Sequence, residues 1–338
     1  MTITERDWEQ LGADQHERGV TVLRVYPHSG HEIFIAVRHP DGSRMLTLAV
    51  NVRAAGETLR RLHTLPQTRG IEMQFARLGD DVGELRVVLT DNQLREVFNP
   101  LASDIASTAQ AQTGPAAAVL AAVDRFEHWR RMLQSLADTG LAPEARRGLF
   151  GELAILRGHL LPAMAAADAV RAWTGPTATN QDFQLPCTAI EVKTSSGKEP
   201  QTLVISNERE LDEKGVPRLI LAHLSLDERR GGTGESLNAA VDRTRDAAAD
   251  PAARALLDDL LVRAGYLQQQ RELYDEPRYT VRKQRFWHVT GDFPRITEAD
   301  LRPGVGDCRY RISTAGLEPY LMTTEQLAAA MTGGLPDE

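Results

Sequence analysis

Cysteine is scarce in this chain: Cys187 and Cys308 are the two thiols, too few for a disulfide scaffold and in no metal-ligand spacing. A cytoplasmic protein with reduced thiols is the plain expectation. No stretch of about 18 apolar residues occurs, which excludes a membrane-spanning helix. The opening segment, Met1 to Asp7, lacks a basic region followed by an apolar one, so a secretory signal is not expected. Basic charge is also short. A formal net charge of −8 and a pI near 5.7 argue against a nucleic-acid coat protein. They leave room for a DNA enzyme, which needs only a local basic surface. Also missing are internal repeats, low-complexity tracts, a G-x-S-x-G elbow and a Walker loop, so serine-hydrolase and ATPase readings fall away. The nine histidines are scattered, with no cluster suited to zinc.

What is present can bury a core: 338 residues with 42% hydrophobic and 25% charged side chains suggest two domains or one elaborated domain. The first hundred residues read as strands with hairpin punctuation. Thr21–Tyr26 and Glu32–Arg38 are β-branched and aromatic, and His39-Pro40-Asp41-Gly42 turns the chain into Met45–Val52. Ile71–Arg77 and Leu85–Thr90 form a second expected hairpin, and Asp91 is placed to cap the next helix. The polar stretch Thr108–Pro115 is the expected boundary, giving a β-rich region over 1–112 and a second domain over 113–338.

Helices are then expected over Ala116–Ala137 and from Pro143, the latter carrying Leu149, Phe150, Leu153, Leu156 and Leu160. Strands are predicted at Asn180–Leu185, Thr188–Thr194, Gln201–Ser206 and Arg218–Leu226, with a helix at Glu208–Lys214. Two more helices, Leu237–Ala247 and Ala252–Ala264, precede a strand-rich end that begins at Tyr279. This order fits an α+β N-terminal region joined to an α/β core.

The chemistry concentrates in Asn180-Gln181-Asp182-Phe183-Gln184 and Ala189-Ile190-Glu191-Val192-Lys193-Thr194. Strand alternation turns Glu191 and Lys193 to one face and Ile190 and Val192 to the other. Placing a Glu and a Lys together on a buried strand is costly unless the charges are used or paired. Asp182 lies nine positions earlier, where a hairpin brings both carboxylates together. Oxygen ligands from Asp182 and Glu191, with the Val192 carbonyl, would suit Mg2+, with Mn2+ as a substitute. Lys193 would hold the attacking water or stabilise charge on a phosphate. Glu152 falls beside the apolar stripe of its helix, where a carboxylate usually has a partner; it too could reach the metal.

Bland readings stand beside these. Glu191 and Lys193 could be an ordinary ion pair, and Glu152 could pair with Arg147 or His159. Ser195 and Ser196 could bind phosphate or simply form a turn, and Gln201 could support the site or contact DNA but reads more simply as a solvated strand start. Trp173 reads as a buried loop anchor, with stacking on a base as the alternative, and His223 as a core histidine rather than a general base. Arg282, Lys283 and Arg285 lie among Tyr279, Phe286 and Trp287. That mixture suits phosphate contacts and equally an edge strand protected by charge.

Gly151-Glu152-Leu153, Trp173-Thr174-Gly175-Pro176, Asp182-Phe183 and Ile190-Glu191-Val192-Lys193-Thr194 together resemble the PD-(D/E)XK nuclease superfamily. The closest likeness is to a bacterial family bearing that motif and linked to restriction and phage-defence operons. The likeness extends to Ser206–Leu211 and Phe293-Pro294-Arg295-Ile296. It implies a restriction-endonuclease-like core, a central mixed sheet flanked by helices, and a metal-dependent endonuclease acting on DNA. It puts the helix glutamate on Glu152, the motif aspartate on Asp182 and the catalytic pair on Glu191 and Lys193. Gln181, not proline, precedes Asp182. Other defence-operon proteins are implied partners, and double-strand cleavage would call for a homodimer or two successive cuts. A non-catalytic DNA-binding or assembly subunit that keeps the fold is the rival reading.

Overall fold

The computed structural model describes residues 3–13, 18–56, 58, 65–68, 70–136, 139–177 and 179–333. They form two compact units, Met1–Thr139 and Gly140–Glu338.

The first unit opens with helix α1 (Glu5–Ala13), which had no counterpart in the sequence reading, and continues with a six-stranded antiparallel sheet. Its strands are β1 (Gly19–Val25), β2 (Ile33–His39), β3 (Ser43–Asn51), β4 (Gln67–Thr68), β5 (Ile71–Arg77) and β6 (Val82–Leu89). Their order is β1-β2-β3-β6-β5-β4. Both predicted hairpins form. In the first, the Asp41 carboxylate accepts from the Ser43 hydroxyl at 2.7 Å, and Gly42 takes the left-handed backbone the turn needs (φ +67°). Asp91 accepts from the Gln93 N–H at 2.9 Å and starts a 3₁₀ turn that runs into α2 (Arg95–Gln110).

Helix α3 (Pro115–Leu136) packs against α2. Asp104 of α2 binds the Trp129 indole N–H of α3 at 2.8 Å and also pairs with Arg125. This is why the units divide after Thr139 and not at 112/113: the polar stretch before Pro115 is a turn between two packed helices. Ala137, the expected end of that helix, lies outside the described residues.

The second unit is mixed α and β. Helix α4 (Pro143–Ile155) begins with proline at its first turn, where no N–H is needed, and runs on through a π turn at Leu156–Leu160. Then come α5 (Ala166–Ala172), β7 (Phe183–Gln184), β8 (Ala189–Ser195), β9 (Thr202–Ile205) and β10 (Leu219–Arg229). The rest comprises β11 (Glu235–Ser236), α6 (Leu237–Ala247), α7 (Pro251–Arg263), β12 (Arg278–His288), β13 (Tyr310–Ser313) and α8 (Thr324–Thr332).

Strand β8 lies inside a five-stranded sheet of order β11-β12-β10-β8-β7. It is parallel to β10 and antiparallel to β7, while β10 and β12 are antiparallel, so the sheet is mixed. On one face, Ala189, Leu219, Leu221 and Trp287 pack with Leu203, Ile205, Leu211 and Ile312, which come from β9, the loop after it and β13. Helix α4 packs against β8, and Gly151 lets it approach closely, since a Cβ there would collide with Thr194. Full burial of such aliphatic side chains contributes about 1.5–3 kcal/mol each, which holds β8 between two packed layers.

Two local expectations are corrected. Glu208–Lys214 forms turns and not a helix, because its carboxylates serve tertiary partners; the Glu208 carboxylate takes the Cys308 N–H at 2.8 Å. Gln201 is buried at 3% exposure and donates to Gly197 O and Ser225 Oγ, both at 2.8 Å, so it is no solvated strand start.

Candidate active site

Strand β8 carries the sequence Ala-Ile-Glu-Val-Lys-Thr-Ser, and its alternation separates two chemistries as expected. Ile190 (0% exposed) and Val192 (7%) belong to the packed side, whereas Glu191 is buried at 4% exposure next to Lys193. Lys193 Nζ lies 2.6 Å from Glu191 Oε1 and 2.6 Å from Glu210 Oε2. The ion pair of the bland reading is therefore real, but it is buried and has three members.

Asp182 reaches this strand through pairing geometry. β7 ends its ladder on β8 at Phe183↔Ile190, so Asp182 stands where the next backbone pair would form. Its Oδ2 takes that role, accepting the Val192 N–H at 2.8 Å. The N–H and C=O of a strand residue point to the same neighbour, so the Val192 carbonyl is directed to the edge that Asp182 occupies. The loop before Asp182 is pinned by its own backbone: Thr174 and Gly175 donate to the Asp182 carbonyl at 2.8 and 2.9 Å.

Glu152 comes from α4. Its partner is neither Arg147 nor His159: Arg147 pairs with Glu228 and Glu144, and His159 contacts Gln284. The Trp173 indole N–H holds Glu152 Oε2 at 2.7 Å. Trp173 is 1% exposed, so it is the buried anchor expected and also the carboxylate's donor. Gly175 sits between the two acids. A Cβ there would lie 2.8 Å from Asp182 Oδ1 and 3.1 Å from Glu152 Oε2, so both carboxylates close on one point that only glycine leaves free.

Crowding acids in this way shows in their protonation. Burial pushes Glu152 up to about 8, and the neighbouring Asp182 charge adds to it. Asp182 is pushed up to about 6, mainly by burial, against the pull of the Val192 N–H and Lys193. Burial and the Asp182 charge raise Glu191 well above its ordinary value. Burial works against the Lys193 ammonium, yet Glu191 and Glu210 hold it above the usual lysine range. One cation stands among four carboxylates, so a further positive charge would relieve the repulsion.

The donor set fits a hard divalent cation in kind. Glu152, Asp182, Glu191 and the Val192 carbonyl are all oxygen ligands, and Glu152 and Asp182 keep partial exposure to solvent. Among the described residues, no group of three or more His, Cys, Asp or Glu side chains is placed as a ready metal cage. Glu191 is turned toward Lys193 instead.

The remaining predicted residues gather at the far end of β8. Ser195 contacts His223 Nε2 at 2.7 Å, and His223 is a core histidine at 0% exposure. Arg282 donates to the Ser196 and Gly197 carbonyls at 3.3 and 3.0 Å, and Arg285 pairs with Glu199 at 2.9 Å. Lys283 is exposed. β11 borders the outer side of β12 at Tyr279 and Arg278, so most of this basic strand lies at the sheet edge. Glu210 is a site residue the sequence does not point to, although Ser206–Leu211 belongs to the resemblance: its segment has a helical pattern, and only the fold brings its carboxylate to Lys193.

Residues 4–315 match the model of a family described as "Putative PD-(D/E)XK family member, (DUF4420)". No curated protein and no solved structure matches the chain. No helix among the described residues is long and apolar enough to cross a membrane.

Proposed function

This chain belongs to the PD-(D/E)XK family that matches residues 4–315, and from that premise we propose that it is a magnesium-dependent DNA endonuclease of a bacterial restriction or phage-defence system. The family points to a nuclease-type function. The observation that carries the finer reading is the convergence of Glu152 and Asp182 beside Gly175, with Asp182 tied to Val192 on the strand that presents Glu191 and Lys193.

Glu152, Asp182, Glu191 and the Val192 carbonyl would hold the ion, magnesium or manganese. Such an ion, when bound, supplies Lewis-acid polarisation of a phosphate and a more acidic water. Lys193 places its ammonium to orient the attacking water or to neutralise charge developing on the phosphate. Trp173 and the Val192 N–H fix the orientation of Glu152 and Asp182, and the packed layers behind β8 keep the strand rigid. Ser195, Ser196, Arg282, Lys283 and Arg285 would line the path of the DNA. The second unit would be the restriction-endonuclease-like core, and the first unit would position DNA or a partner protein of the same operon. Cleavage of both strands would use a homodimer or two successive cuts, in the cytoplasm.

A non-catalytic DNA-binding or assembly subunit is the second reading, favoured by the engagement of Glu191 with Lys193 and the lack of a ready cage among the described residues. Manganese and magnesium titration, with plasmid cleavage by wild type, Glu191→Ala and Lys193→Ala, separates the two. Cleavage lost in both variants, with metal binding lost in Glu191→Ala and kept in Lys193→Ala, is the expected result. A wild type that binds no divalent ion, with both variants still restricting phage, would leave the subunit reading standing.

A further inference from the structure

We propose that Glu210 is the positioning residue for Lys193, and that Gln181 holds Glu210 in place. The catalytic meaning of this assignment rests on the nuclease reading above; its geometry does not. Lys193 Nζ is shared between two carboxylate oxygens at equal 2.6 Å distances. The two acids differ in what else they can do. Glu191 lies on the active strand and is one of the oxygens offered to a cation. Glu210 sits across from it, 8% exposed, and its other contact is inward: the same Oε2 accepts the Ser206 N–H at 3.1 Å. Glu210 is therefore free to remain with the ammonium when the Glu191 charge is committed elsewhere.

The loop carrying Glu210 is fixed from several sides. Leu211, at 0% exposure, is part of the core cluster, and the Leu211 carbonyl accepts from Arg295 at 3.0 Å. Gln181 Nε2 donates to the Arg209 carbonyl at 3.0 Å and lies 3.5 Å from the Glu210 carbonyl. Gln181 is 3% exposed and immediately precedes Asp182. This gives a reason for glutamine where the motif has proline. Proline has no side-chain amide, so it could not tie the Glu210 loop to the strand that carries Asp182. Backbone and side chain of consecutive residues thus set the aspartate and the lysine's anchor together.

The chain has four lysines, Lys193, Lys198, Lys214 and Lys283, so the exposure of each amine to an acylating reagent can be followed by mass spectrometry. This readout needs neither metal nor activity. Glu210→Gln keeps an oxygen for the Ser206 N–H and removes only the charge. It is expected to raise the acylation rate of Lys193 about tenfold or more, as loss of a buried ion pair implies, with the other three lysines unchanged. Gln181→Ala should move Lys193 the same way by less, and Glu210→Asp should restore much of the protection. Plasmid cleavage by Glu210→Gln should fall about 100-fold, the scale of a misplaced catalytic group, through kcat and not KM. In a Lys193→Met background, Glu210→Gln should leave manganese affinity unchanged. Unchanged Lys193 acylation in Glu210→Gln, or equal acceleration of all four lysines, would overturn the assignment. If wild type neither binds manganese nor cleaves DNA while Lys193 protection still depends on Glu210, the nuclease reading fails and the positioning role stands.

Discussion

The indole N–H of Trp173 donates to the carboxylate of Glu152 at 2.7 Å, joining a fully buried ring to an acid that faces the candidate site. Trp173→Phe keeps most of the packing and deletes the donor. It should cost about 1–3 kcal/mol in stability, the price of an unsatisfied buried acceptor, and weaken metal binding as Glu152 becomes harder to ionise. Urea unfolding and magnesium titration check both; wild-type values in each would show that the bond is idle.

Gly175→Ala tests whether the two acids need the space beside that glycine. The added methyl would meet Asp182 Oδ1 and Glu152 Oε2, and each carboxylate is held by a donor it would have to leave. We expect DNA cleavage to drop by about 10- to 100-fold with the circular dichroism spectrum unchanged. A Gly175→Ala protein with undiminished cleavage would mean that the carboxylates do not act at that point.

Acidity should stabilise the metal-free protein. Glu152 titrates near 8 and Asp182 near 6 in the folded chain, above their ordinary values of 4.5 and 3.8. The folded state thus binds more protons between these limits, and its stability is fully present below about 3.8, falls as pH rises through about 6 and is lost as pH rises through about 8. In the presence of EDTA, thermal midpoints should climb from pH 8.5 to pH 5.5, by an amount worth a few kcal/mol at most. Glu152→Gln should flatten that slope, and magnesium should add most stability at the alkaline end. A midpoint that rises with pH in EDTA would contradict the burial of these acids.

Lys283 on β12 is exposed and lies opposite Ser225, the β10 residue that also faces Ser195. Lys283→Glu should weaken binding to any DNA duplex alike and reduce the salt slope of log K by about 1 or more, as loss of one phosphate contact predicts. Metal affinity should not change. Binding that keeps its full salt dependence would reassign the basic strand to edge protection.

The core of the site was readable because it rests on periodicity. Glu191 and Lys193 share a face by strand alternation, and Glu152 stood out as a carboxylate beside an apolar stripe. Gly175 and Trp173 could be named from their motif segment, yet their roles depend on distances between elements. Glu210 could not be placed: it lies 17 residues after Lys193 on a loop whose pattern read as a helix. Gln201 differs from its solvated expectation for the same reason: β10 and the loop after β8 enclose it.

Local chemistry in the chain was enough to specify the α+β composition, both early hairpins, the proline-led helix α4 and the Asp182, Glu191 and Lys193 pattern. These follow from side-chain alternation, turn residues and helix signals that act over a few positions. The division after Thr139, the shared lysine between Glu191 and Glu210, and the joint approach of Glu152 and Asp182 to Gly175 were settled only by folding. Each depends on burial and on contacts between segments far apart in the chain, where desolvation decides which charges must meet.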